Sequence, residues 1–297
     1  MSADASPAAA PIVDGQPELR VDAHTGIRTY VVGSRQDRPN LPAATCPFCP
    51  GGLEAPEPYD VRWFANRWPA MPDARCEVVL YTPEHEATFW SLGVAGARKV
   101  IDLWAERTAE LGARPEIDYV LVFENRGAEV GATIEHPHGQ IYAFDFVPEL
   151  PVRELGRGNV FAEPGGRLVA TAPGWRAWVP EAPKFPYALV LLPDDDVPDL
   201  PSLDEVGRDG LAVLLVDVLE RLDRLFDAQT PYMLWIHQRP FDGGDWPSSR
   251  LHVEIVSPWR ARGVARYVAA GELGSGVYFN PVAPEEAARA LRDAVAS

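Results

Sequence analysis

His136-Pro137-His138-Gly139-Gln140-Ile141-Tyr142-Ala143-Phe144 runs two histidines and a glutamine at alternate positions into an apolar strand. Leu251-His252-Val253-Glu254-Ile255-Val256 answers it later in the chain. Reading outward from each stretch gives the same order of elements. Before His136 lies a strand, Asp118–Glu124, closed by Asn125-Arg126. Before that, Ala97, Val100, Ile101, Trp104 and Leu111 fall on one helical face, and strands Tyr59–Asn66 and Cys76–Tyr81 lead to Pro83-Glu84-His85. Before His252 the order repeats. Strand Tyr232–His237 is followed by Gln238-Arg239, a helix carries Leu211, Leu214, Leu215, Val218, Leu222 and Leu225, and strands Trp175–Val179 and Tyr187–Leu192 end in Pro193-Asp194. Pro83 aligns with Pro193, Asn125-Arg126 with Gln238-Arg239, and His138 with His252. The pattern predicts a duplicated strand–strand–helix–strand–strand unit, an α+β fold in which helices cover a mostly antiparallel sheet. The halves are expected at 18–150 and 151–297. Residues 1–17, rich in Ala, Pro, Ser and Asp and without periodicity, are expected to be a disordered tail.

Lys and Arg number 27 against 43 Asp and Glu among 297 residues, a formal charge of -16. A field of that sign repels nucleic acid and anionic lipid, so neither is an expected partner. A local basic pocket for a small phosphorylated ligand remains compatible with it. The longest apolar runs are too short to span a bilayer, and nothing near the start has the charged head and apolar core of a signal peptide, so a cytoplasmic location is expected.

The three cysteines cannot build a disulfide framework. Cys46 and Cys49 have the spacing that points two sulfurs at one ion, although a redox pair uses the same spacing. The chain has only six histidines, and His85 and His136 are placed to complete a closed Cys2His2 set, hence a structural site. The alternative is a reduced cysteine pair with two unrelated histidines. Cys76, opening a strand, is expected to be a small buried hydrophobe.

In an extended strand residues two apart face one side, so His136, His138 and Gln140 are expected to project together. Packing does not require three polar side chains there. A neutral imidazole is nucleophilic near neutral pH, which makes covalent catalysis available.

Phe123-Glu-Asn-Arg-Gly127, Gly131-Ala-Thr133 and His136-Pro-His-Gly-Gln-Ile-Tyr142 resemble the active-site region of galactose-1-phosphate uridylyltransferases, a branch of the histidine triad superfamily. Cys46-Pro-Phe-Cys49-Pro, Phe64-Ala-Asn-Arg-Trp-Pro69, Pro83-Glu-His85, His252-Val-Glu-Ile-Val-Ser-Pro258 and Tyr267-Val-Ala-Ala-Gly-Glu-Leu-Gly274 extend the likeness over nearly the whole chain after residue 17. The resemblance implies two fused histidine-triad-like units and a ping-pong reaction. His138 would attack the α-phosphorus of UDP-glucose, release glucose 1-phosphate, and pass the uridylyl group to galactose 1-phosphate. Gln140 would donate to a non-bridging phosphoryl oxygen. Cys46, Cys49, His85 and His136 match a structural zinc set. Arg35 and Arg38 match arginines near the nucleotide phosphates and the neighbouring subunit's site. Asn66 and Trp68 match uridine contacts, and Asn125 and Thr133 match phosphate or ribose contacts. Glu272 matches an acidic residue that binds hexose hydroxyls from the partner chain, so a homodimer with shared sites is implied.

Three departures qualify the likeness. Some members bind a second metal through several histidines and a glutamate. Here only His237, His252 and Glu254 line up, and Val152–Leu168 is short and Gly-rich where a further ligand belongs, so that site is expected to be empty. Leu273-Gly-Ser-Gly-Val-Tyr278 differs from the hexose loop of longer members. Asp194-Asp195-Asp196 stands where the first copy has its histidine, which makes the second copy a scaffold. The alternatives are a related nucleotidylyltransferase or nucleotide-sugar phosphorylase with another base or sugar, and a non-catalytic zinc-stabilised nucleotide-binding protein.

Overall fold

The computed structural model describes residues 16–33, 35, 46–158 and 160–295. Arg38 and all of the expected tail except Gln16 and Pro17 lie outside those residues. Alternating apolar positions make a single nine-stranded sheet that is antiparallel at every pairing of neighbours. The first half supplies β3 (Arg62–Ala65), β4 (Cys76–Leu80), β5 (Tyr119–Arg126) and β6 (His138–Phe144). The second supplies β7 (Leu168–Ala172), β8 (Trp175–Trp178), β9 (Leu189–Pro193), β10 (Tyr232–His237) and β11 (His252–Val256). Their spatial order is β3-β4-β6-β5-β10-β11-β9-β8-β7, so the halves mirror one another across the β5–β10 contact. β1 (Glu18–Val21) and β2 (Arg28–Val31) form a separate hairpin, and β12 (Trp259–Ala261) pairs with β13 (Val264–Ala265).

One face of the sheet is covered by helices. Val79, Val120, Val122, Ile141, Leu191, Leu234, Ile236, Val253 and Ile255 point into the main core. α1 (Gly93–Gly112) meets them with Val100, Ile101 and Trp104, and α3 (Glu205–Phe226) with Leu211, Leu215, Val218 and Leu222. Fully burying side chains of this size is worth about 1.5–3 kcal/mol each, which fixes which face of every strand looks inward. α3 is capped by Asp204, whose carboxylate accepts the Gly207 N–H at 2.8 Å, a cap worth about 1 kcal/mol. α5 (Pro284–Asp293) closes the core with Ala287, Ala288 and Leu291.

The register refines the alignment of the halves. Phe123 pairs with Gln140 and Trp235 with Glu254, while Phe123 and Trp235 pair with each other. Phe123 and Trp235 are therefore equivalent, and Asn125 corresponds to His237 rather than Gln238. Val78 pairs with Gln140 and Val190 with Glu254, so Tyr81, not Pro83, corresponds to Pro193. A one-residue slip matters because it moves a side chain to the opposite face. The sequence expectation also lacked β7, α5 and α2 (Glu149–Gly156).

Candidate active site and metal centres

The helix-free face carries the polar groups. Along β6 the burial alternates: Gly139, Ile141 and Ala143 are buried against the helices, and His138, Gln140, Tyr142 and Phe144 are half-buried on the other side. β6 begins at His138, so His136 precedes the strand. It is fully buried, with its ring turned to the cysteines and, like that of His138, edge-on to the Phe48 ring, at 6.2 Å between centroids. Phe48 is thus shared by the two histidines, and Gln140 follows His138 on the same side of β6.

His138 Nδ1 lies 2.8 Å from the His136 carbonyl oxygen. A carbonyl only accepts, so Nδ1 carries the proton and Nε2 the lone pair. The Phe48 ring stands edge-on to His138 at 5.0 Å between centroids. Asn66 Nδ2 donates to Gln140 Oε1 at 3.3 Å, and Asn66 Oδ1 accepts the Trp68 N–H at 2.9 Å. Holding the Gln140 oxygen in this way leaves its NH2 to act as the donor. Asn125, Thr133 and His138 border one cavity of about 450 Å³, walled by the Gly127–Pro137 segment and Ala87–Phe89. Arg35 is half-buried near Cys76, where its charge lowers the thiol pKa against the larger upward effect of burial.

Cys46, Cys49, His85 and His136 converge, with one ligand atom of each within 4.8 Å of all the others. Cys49 Sγ lies 3.5 Å from His85 Nδ1 and 3.6 Å from His136 Nδ1. The far nitrogen of His136, Nε2, is 2.8 Å from the Thr82 carbonyl and 2.9 Å from the Tyr59 hydroxyl, which itself donates to Phe48 O and Thr82 O. That bond places the proton on Nε2 and aims the Nδ1 lone pair into the cluster, an outer-shell arrangement typical of metal-ligating histidine. Burial pushes His136 below its ordinary value, keeping it neutral. Burial and the adjacent Cys46 push the Cys49 thiol up, a cost that a cation would reverse. The donor set fits a tetrahedral ion.

A second group forms in the other half from Glu154, His237, His252 and Glu254, again with ligand atoms within 4.8 Å. Glu154 lies within Val152–Leu168, where the sequence offers no evident further ligand. It sits on α2, a helix of two turns too short to show a periodic face. Glu154 Oε2 is 2.5 Å from His237 Nδ1 and 3.9 Å from His252 Nε2, and Glu254 Oε1 is also 3.9 Å from His252 Nε2. His252 Nδ1 donates to Arg250 O at 2.8 Å. Burial first, then the neighbouring His237, push His252 down to about 4, so it stays a neutral ligand. Two carboxylates and two imidazoles suit a divalent ion that accepts nitrogen and oxygen.

Glu272, on α4 (Ala270–Ser275), is buried and engaged within its own chain. Oε1 meets the Arg266 guanidinium and accepts the Phe279 N–H at 3.0 Å, and Oε2 accepts the Ala269 N–H at 3.0 Å. Those contacts hold its pKa below the ordinary carboxylate range. No helix of the described residues is long and apolar enough to cross a membrane.

The N-terminal domain model of galactose-1-phosphate uridyl transferase matches residues 65–148, and the C-terminal domain model matches 138–292. A galactose-1-phosphate uridylyltransferase of Thermotoga maritima is 34% identical over 311 residues, covering 93% of this chain and 98% of that protein. One from Streptomyces lividans is 37% identical over 288 residues, covering 85% and 79%. A solved uridylyltransferase structure superposes with a TM-score of 0.85 at 28% identity, covering 94% of this chain and 98% of the other.

Proposed function

Because the chain belongs to the galactose-1-phosphate uridyl transferase family, we propose that it moves UMP from UDP-glucose to galactose 1-phosphate through a uridylyl-His138 intermediate. The observation that carries this reading is the His138 Nδ1–H···O=C contact to His136 at 2.8 Å, at the start of the strand that also presents Gln140. In the first half-reaction Nε2 bonds to the α-phosphorus while the bond to glucose 1-phosphate breaks, and the leaving phosphate takes the electron pair. Nδ1 keeps its proton, and the positive charge gained by the ring is met by the His136 carbonyl. The Gln140 NH2, oriented by Asn66, donates to a non-bridging oxygen as negative charge redistributes there. The second half-reaction reverses the first, with the phosphate of galactose 1-phosphate as nucleophile. A phosphate leaving group needs no strong general acid.

Asn66 and Trp68 are assigned to the uridine, Asn125 and Thr133 to phosphate or ribose, and Arg35 and Arg38 to the substrate's negative charge. Cys46, Cys49, His85 and His136 would hold a structural zinc whose part is to brace the loop leading into β6. Glu154, His237, His252 and Glu254 would hold a second ion in the same supporting capacity. We read 18–150 and 151–297 as the two histidine-triad-like units of a cytoplasmic homodimer. In that dimer Glu272 is assigned to the hexose hydroxyls in the partner's site.

The test is exchange of label between UDP-glucose and glucose 1-phosphate in the absence of a second acceptor, followed by turnover with galactose 1-phosphate, other sugar phosphates and orthophosphate. Exchange without acceptor and fastest turnover with galactose 1-phosphate support the reading. Turnover only when donor and acceptor are present together contradicts the ping-pong order, and preference for orthophosphate makes the protein a phosphorylase.

A further inference from the structure

Glu124 lies on β5 between Phe123 and Asn125, and the alternation of the strand turns it to the helix-covered side, directly behind the face that carries His138. It is 4% exposed. Its Oε1 accepts the Tyr232 hydroxyl at 2.6 Å. Among the described residues Oε2 has no hydrogen-bond partner, and neither has the buried Tyr81 hydroxyl. The two groups are near enough for the Glu124 charge to raise the pKa of Tyr81.

Tyr81 in turn is wedged against the reactive strand. A Cβ added at Gly139 would stand 2.1 Å from the Tyr81 hydroxyl and 3.1 Å from the Phe123 carbonyl. Only glycine fits between His138 and Gln140 for that reason. The Tyr81 N–H donates to Pro137 O at 3.3 Å, and the ring is held edge-on by Phe89 and Trp104 at 5.5 and 5.8 Å. One continuous line of side chains, Tyr232, Glu124 and Tyr81, thus runs from β10 across β5 to the back of Gly139.

We propose that Glu124 is a positioning residue for uridylyl transfer, acting through Tyr81 on Gly139 to fix the strand segment that carries His138 and Gln140. The proposal rests on the reading of His138 as nucleophile. An ionised Glu124 offers one acceptor oxygen to each of two phenols, Tyr232 and Tyr81, whereas a protonated one brings an O–H that needs an acceptor of its own. Only the carboxylate can accept from both phenols at once. Its charge also borders the same cavity as the ring that becomes positive when Nε2 bonds to phosphorus. The groups facing Glu124 are Tyr232 from β10, Tyr81 beyond the end of β4, and Arg126 from β5, which Asp223 of α3 holds by two bonds of 2.9 Å. α1 adds Trp104 beside Tyr81, without charge. Burial, the dominant influence, lifts the carboxyl to about 7, against the pull of Tyr232, Arg126 and Tyr81. Its charge therefore changes near neutral pH.

The experiment measures the single-turnover rate of enzyme uridylylation by UDP-glucose between pH 5.5 and 8.5 in the wild type, Glu124→Gln and Tyr81→Phe. Glutamine keeps the shape and cannot titrate. The expected ratio of wild-type to E124Q rate rises about tenfold from pH 6 to pH 8, with its midpoint near 7 and the KM for UDP-glucose unchanged. Y81F, which leaves the carboxyl in place, shows the same loss of pH response, because the coupling passes through that hydroxyl. A ratio that stays flat with pH, however large, means a carboxyl that only fills space and overturns the proposal. A raised KM at unchanged rate overturns it too. A wild type that forms no uridylyl-enzyme at any pH overturns the nucleophile reading beneath it, while an active wild type with a flat ratio overturns only the part given to Glu124.

Discussion

His138 and His252 occupy equivalent places in the two halves and are built almost alike. Each opens its strand, each directs Nδ1 to the carbonyl two residues earlier at 2.8 Å, and each meets a phenylalanine edge-on, Phe48 at 5.0 Å and Phe161 at 4.9 Å. What differs is the company of Nε2. In the first half the next residue on that face is Gln140, an amide whose oxygen is already held by Asn66. In the second half the corresponding residue is Glu254, joined by Glu154 and His237, and the imidazole is sealed from solvent. A neutral donor beside a half-buried nitrogen welcomes a phosphate, while two carboxylates repel it and attract a cation. The strand start supplies an oriented imidazole, and the charge of its neighbours decides what that imidazole meets.

The sharpest way to break this comparison is to remove each histidine. His138→Gly is expected to lower UMP transfer by at least about 10⁴-fold, with turnover regained when imidazole and an activated uridylyl donor are supplied. His252→Gly is expected to cost about tenfold or less, with no response to imidazole. Rescue of the second variant by imidazole would mean the halves share the chemistry. Next in size, Gln140→Glu gives the first half the charge of the second. Single-turnover uridylylation is expected to fall about 10²–10³-fold, as when an oxyanion donor is lost. A smaller loss would show that the amide does not donate in the transition state.

How much of this was legible in the sequence depends on the size of the local signal. The Cys46-x-x-Cys49 spacing and the His138/Gln140 alternation are short-range patterns that backbone geometry forces onto one side, and the residues stand together in the fold. The mirrored order of elements was legible because amphipathic periodicity survives in both halves. Glu154 was not legible, since two helical turns after Pro148 leave too few positions to reveal a face, and its partners arrive from β10 and β11. The correspondence of Asn125 with His237 was missed because it rests on cross-strand register, which a string of residues does not display.

A smaller effect separates the two clusters. Cys49→Ser is expected to reduce bound metal at the first site and activity by about 10–100-fold, measured by elemental analysis beside exchange rate. His237→Ala should leave the metal of the first site in place, and loss of both ions in either variant would make the clusters one unit. The smallest expected effect is on stability. The folded-state value of Glu124, about 7, lies above its ordinary 4.5, so the folded protein binds this proton more tightly than the unfolded chain does. Stability from this group is complete below about pH 4.5 and is lost as pH rises to 7, by about 3 kcal/mol. Urea unfolding of wild type and E124Q at pH 5 and pH 8 should show the difference shifting toward the variant as pH rises, and a constant difference would mean that Glu124 is already ionised.

The central claim is that the first half's histidine, and not its counterpart, carries the uridylyl group. Incubating the enzyme with UDP-glucose labelled in the α-phosphate, quenching in alkali and mapping the labelled peptide tests it directly. Label stable to base, labile to acid and confined to His138 is the predicted result. Label at His252, on a residue other than histidine, or nowhere in an active enzyme would contradict it.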